Sequence, residues 1–112
     1  MSSENREIRL EEILEQIERI ESHITSVTFD TFCDDALTQD AVERCLERIC
    51  EASRKVGDVF DEKYPEVNFP DLRKFGSVLR HDYHGIDARI VWEAVTERLP
   101  LLKAAIRAEL GL

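Results

Sequence analysis

A chain of 112 residues is long enough for one hydrophobic core that removes roughly two thirds of the unfolded surface from water, so residues 1–112 are read as a single helical domain. With 24 acidic against 15 basic side chains the formal net charge is −9, which argues against nonspecific coating of nucleic acid, because neutralising many phosphates takes a basic surface. Cys33, Cys45 and Cys50 make neither a disulfide framework nor a zinc spacing, and Met1 to Arg6 leads into charged sequence with no apolar leader or membrane span; a reduced, cytoplasmic protein is expected.

From about Asn5 to Val27 the residues Ile8, Ile13, Leu14, Ile17, Ile20, Ile24 and Val27 keep helical spacing, which predicts a first long amphipathic helix. Thr28 to Leu37 is polar and β-branched and is expected to be a loop, with Thr38 as the N-cap of the second helix. That helix runs through Val42, Leu46, Ile49, Ala52, Val56, Val59 and Phe60 to about Tyr64, where Pro65 stops it, and Gly57 within it suggests a close helix crossing. Asn68-Phe69-Pro70-Asp71 opens a third helix with Leu72, Phe75, Leu79 and Tyr83 as its buried stripe and an end near Gly85. Asp87 caps a fourth helix whose Ile90, Val91, Ala94, Val95 and Leu99 form one face, with Trp92 at its flank. Pro100 kinks or restarts the chain, and Leu101 to Leu110 closes it as a short amphipathic stretch before Gly111. No segment alternates with period two for long enough to be a strand. The expected fold is all-α: an up-and-down four-helix bundle with a short kinked C-terminal helix.

The densest group of titratable side chains is Arg80-His81-Asp82-Tyr83-His84-Gly85-Ile86-Asp87, on the last turns of the third helix. At about 100° per residue, Arg73, Ser77, Arg80, His81 and His84 all fall outside the stripe centred near Leu79, on one wet face. Guanidinium forks bind phosphate bidentately and imidazole moves protons near neutral pH, so this face suits a phosphodiester, against the plainer reading of a solvated helix surface. Charge supports the choice: residues 1–72 hold 8 basic and 19 acidic groups, whereas 73–90 hold 4 basic and 2 acidic. His81 and His84 with Asp82 and Asp87 offer metal donors, but His-x-x-His supplies two ligands where zinc takes three or four, so neither metal nor cofactor is expected. His23 reads as structural or solvated.

The run Phe75-Gly76-Ser77-Val78-Leu79-Arg80-His81-Asp82-Tyr83-His84-Gly85-Ile86-Asp87, followed by Ile90-Val91-Trp92 and Leu99-Pro100-Leu101-Leu102, resembles the HepT-like (DUF86) family of the HEPN superfamily over nearly the whole chain. The resemblance implies a HEPN-like helical bundle that pairs as a homodimer about a two-fold axis. It further implies a ribonuclease toxin, encoded beside a minimal nucleotidyltransferase antitoxin that silences it by adenylylating (AMPylating) the motif tyrosine. RNA would be the substrate, and neither DNA nor a membrane is involved. The family signature is an arginine four to six residues before a histidine, with tyrosine two after it. His81 and Tyr83 match it as the proton-moving residue and the modified residue. At the arginine position stands Gly76, with Ser77 after it. Arg80 lies four residues after Gly76 on the same helical side, and helical side chains lean toward the N-terminus, so its guanidinium can return over the vacant turn as the phosphate-stabilising group; the alternative is outright loss of the catalytic arginine. In that case the chain would be a degenerate interaction or nucleotide-binding subunit of a nucleotidyltransferase complex.

Overall fold

The computed structural model describes residues 2–81 and 85–112. Helix α1 (Ser3–His23) begins where the Ser2 hydroxyl accepts the Asn5 N–H at 3.2 Å, and ends against Ile24 as Ser26 turns to φ 63°. The segment expected to be a loop instead contains a short helix, α2 (Phe29–Cys33). Thr28 and Thr31 cap it reciprocally, each hydroxyl accepting the other's backbone N–H, at 3.2 and 2.9 Å. One helical turn is too short to display a period, so only the threonine pair marks it in the sequence. Its purpose is to seat Phe32, which is wholly buried.

Helix α3 (Ala36–Val56) is capped three residues earlier than expected. Asp35, not Thr38, is the N-cap: its carboxylate accepts the Thr38 N–H at 3.1 Å and the Thr38 hydroxyl, and these bonds hold its acidity below the usual carboxylate range. Gln39 donates its amide to the Phe32 and Cys33 carbonyls, closing the end of α2. Gly57 does not mark a helix crossing; at φ +81° it ends α3, a backbone conformation that favours glycine, so the helix stops well short of Tyr64. A turn and the 3₁₀ segment Pro65–Val67 lead to α4 (Phe69–His81).

The close crossing lies at Gly76 instead. A Cβ there would stand 2.6 Å from the Cβ of Cys50 on α3, so only glycine lets the two helices approach this far. The buried line of α4 is accordingly Phe69, Leu72, Gly76 and Leu79, and Phe75 is only half-buried. This turns the helix from the expected register. Arg73 and Arg80 then sit on the flank beside α3 rather than on the far wet side, about 60–80° from the middle of the buried line.

Asp87 caps α5 (Ala88–Glu93) as expected, accepting the Arg89 N–H at 2.8 Å. The chain then widens into a π turn, Ala94–Arg98, before α6 (Leu99–Glu109). Pro100 has no N–H and its ring crowds the carbonyl four residues back, and the wider turn absorbs both. One core joins these elements. Ile13, Ile17 and Ile20 of α1, Leu46 and Ile49 of α3, Val91 of α5, and Leu102 and Ile106 of α6 are all under 2% exposed, each burial contributing about 1.5–3 kcal/mol. Trp92 packs at the flank on Phe32, ring centres 5.2 Å apart. Long-range ties fasten the exterior: Lys103 to Glu21 at 2.9 Å, Arg98 to Asp71, and Tyr64 and Lys63 to Glu109. The bundle of α1, α3, α4 and the bent α5–α6 rod is the all-helical, HEPN-like architecture expected, and no strand occurs among the described residues. Among those residues no helix is long and apolar enough to cross a membrane.

Candidate active site at the end of helix α4

Arg73 and Arg80 share one flank of α4 but differ in partners. Arg73 donates to both oxygens of Asp61, at 2.9 and 2.8 Å, and to the Gly57 carbonyl at 3.0 Å. It pins the turn after α3, and its hydrogen bonds hold Asp61 below the usual carboxylate range. The expectation that Arg73 belongs to a ligand-facing surface is therefore corrected: this guanidinium is spent on the fold.

Arg80 reaches only the edge of a carboxylate. Its Nη1 lies 3.6 Å from Glu51 Oε2, beyond a good hydrogen bond, while Arg54 already donates to both Glu51 oxygens at 3.1 and 2.7 Å. The Arg54 bonds hold the Glu51 carboxyl low, with Arg80 a weaker contributor. The Arg80 side chain remains 44% exposed with donors to offer. Its Nη1 also lies 3.7 Å from where a Cβ on Gly76 would stand. The guanidinium thus leans back over the turn the glycine leaves open.

His81, the last residue of α4, is exposed. Tyr83 lies outside the described residues, as do Asp82 and His84, so the modification site and half of the metal-donor set are not placed. Among the described residues no three His, Cys, Asp or Glu side chains gather as a metal site. His23 is exposed at the end of α1. Cys33, Cys45 and Cys50 are all free thiols; burial pushes the Cys50 thiol up to about 12, so it stays neutral beside Arg80 and is no nucleophile.

Arg80 opens onto a groove of about 460 Å³ between α1 and α3 that the helical patterns alone did not reveal. Arg9, Arg44, Arg48, Lys55 and Arg80 line it against Glu12, Glu47 and Glu51, a local excess of positive charge on a chain of net −9. Arg9 is paired to Glu12 and Arg44 to Glu47, whereas Arg48 and Lys55 have no ion pair among the described residues. The available signal was Arg44, Arg48 and Lys55 at spacings of four and seven, one helical stripe. A second groove of about 480 Å³, between α1 and α6, has apolar walls such as Ile24, Leu99 and Ala104 and includes neither Arg80 nor His81.

Fold and site together define a small helical bundle that offers an unsaturated guanidinium, an exposed imidazole and a cationic groove. Residues 13–109 match the family described as Ribonuclease HepT-like. The chain belongs to this HepT-like family of the HEPN superfamily. It is 39% identical over 94 residues to "Probable ribonuclease HepT" of Thermococcus cleftensis, covering 84% of this chain and 86% of that one. It is 37% identical over 91 residues to "Putative RNase MJ0127" of Methanocaldococcus jannaschii, covering 81% and 75%. Against "Putative RNase MJ1380" of the same organism it is 31% identical over 106 residues, covering 95% and 97%. No solved structure matches.

Proposed function

We propose that this protein is a metal-independent RNA endonuclease acting as the toxin of a toxin–antitoxin pair. The observation that carries this reading is the Arg80 guanidinium leaning over the open turn at Gly76, one residue from exposed His81. The chemistry suits RNA. The ribose 2′-hydroxyl attacks the adjacent phosphorus as a base takes its proton, the bond to the 5′-oxygen breaks, and an acid protonates that leaving oxygen. The products are a 2′,3′-cyclic phosphate and a 5′-hydroxyl. His81 serves as acid or base, Arg80 steadies charge on the non-bridging oxygens, and the second His81 of a homodimer supplies the other proton transfer. DNA lacks the attacking hydroxyl. Control comes from a minimal nucleotidyltransferase partner in the cytoplasm, which transfers AMP from ATP to the Tyr83 hydroxyl and releases pyrophosphate.

The test is incubation of the pure protein with RNA in chelator. Wild type should cut and leave cyclic phosphate ends, and His81→Ala should slow cutting by about 10²–10⁴-fold. Mass spectrometry after mixing with the partner and ATP should find one AMP on Tyr83, absent from Tyr83→Phe. Intact RNA with wild type would replace this reading by the degenerate interaction or nucleotide-binding subunit.

A further inference from the structure

The groove between α1 and α3 contains one more anomaly. Gln16 lies in its lining, only 9% exposed, and the side-chain carbonyl oxygen has no hydrogen-bond donor among the described residues. A buried acceptor left unpaired costs about 1–3 kcal/mol, so its presence beside open cations points to a ligand that brings a donor together with negative charge. This oxygen is shielded as it stands; a half rotation about the last side-chain torsion, which is broad, exchanges the amide's oxygen and nitrogen and presents the oxygen to a ligand in the groove.

The cations fit an extended polyanion better than a single phosphate. Arg48 and Lys55 are seven residues apart on one side of α3, about 10.5 Å along the axis, and Arg80 approaches that helix between them at Glu51. A strand following α3 meets Arg48, Arg80 and Lys55 in turn. Elsewhere the chain is acidic, which repels a polyanion and leaves this channel as the favourable approach.

We propose that this groove is a subsite for single-stranded RNA: Arg48 and Lys55 hold backbone phosphates on either side of the one at Arg80, and the Gln16 carbonyl accepts a ribose 2′-hydroxyl. The assignment rests on the ribonuclease reading and adds to it the path of the strand. RNA presents both a phosphate row and the hydroxyl donor, whereas DNA presents only the first.

Binding of a labelled single-stranded oligonucleotide, RNA or its DNA counterpart, is measured against salt in the His81→Ala background to prevent cutting. Each phosphate contact on a single strand contributes about 0.7 to the slope of log affinity against log salt. Arg48→Ala/Lys55→Ala should lower the slope by about 1.4, while Lys74→Ala/Arg107→Ala, an equal charge loss outside the groove, should leave it unchanged. Gln16→Leu removes an unpaired buried group and should fold at least as well, yet reduce RNA affinity about fivefold with DNA affinity unaltered. An unchanged slope for the Arg48/Lys55 pair, or an equal loss for RNA and DNA in Gln16→Leu, overturns the subsite while cleavage by the unmutated protein keeps the ribonuclease reading. Absence of both binding and cleavage by the unmutated protein overturns both.

Discussion

Arg73 and Arg80 stand two turns apart on the same flank of one helix, and their neighbours give them opposite tasks. Asp61 offers Arg73 both of its oxygens, whereas the oxygens of Glu51 are already taken by Arg54 before Arg80 arrives. A guanidinium becomes structural where a carboxylate is uncommitted, and stays available where the nearest one is saturated. The difference lies in the surroundings and not in the residue type.

The strongest way to break this contrast is Arg80→Ala. RNA cleavage should fall by about 10²–10³-fold, as for loss of a charge-stabilising donor, while stability to urea changes by under about 0.5 kcal/mol. Full cleavage after this substitution removes Arg80 from the chemistry. Next in size is Gly76→Ala, whose Cβ would meet that of Cys50 at 2.6 Å and should destabilise the bundle by about 1–3 kcal/mol. Cys50→Gly in the same chain should recover part of that loss, a coupling that a double-mutant cycle reads directly; strict additivity would contradict the proposed crossing. Arg73→Ala should cost about 1 kcal/mol in denaturant unfolding and leave the cleavage rate within about twofold.

The smallest effect is in acid. Asp61 is held below its ordinary 3.8 chiefly by hydrogen bonds from Arg73, and Glu109 below 4.5 by those from Lys63 and then Tyr64. Because the folded values lie below the unfolded ones, the stabilisation is complete above those ordinary values and fades as pH falls through the depressed ones. Arg73→Ala should therefore differ from wild type at pH 6 and converge on it below the Asp61 transition. An undiminished gap in strong acid would show that Arg73 acts through packing alone.

Much of the bundle is legible in the sequence. The spacing of Ile13, Ile17 and Ile20 in α1, the apolar stripe of α3 as far as Val56, the Asp87 cap and the disturbance at Pro100 are all local consequences of helical periodicity and backbone chemistry, and they occur where expected, whereas Ile8 is exposed and α1 ends at His23, short of Val27. His81 and Arg80 stand out for the same reason, as titratable side chains at a helix end. The short α2 escapes because a single turn has no period, and Gly57 reads as a crossing because a sequence does not show the sign of φ.

Length, helical class and the order of the rods were determined by the amino-acid sequence, since burying a stripe repeated every three or four residues leaves few other solutions. Tertiary packing decided the rest. The approach of α4 to α3 at Gly76 rotated both arginines onto a flank, committed one to Asp61, spared the other, and brought it to a groove built with Arg48 and Lys55 from a different helix. Hydrogen-bond saturation depends on groups that meet only after folding, and no local pattern encodes it.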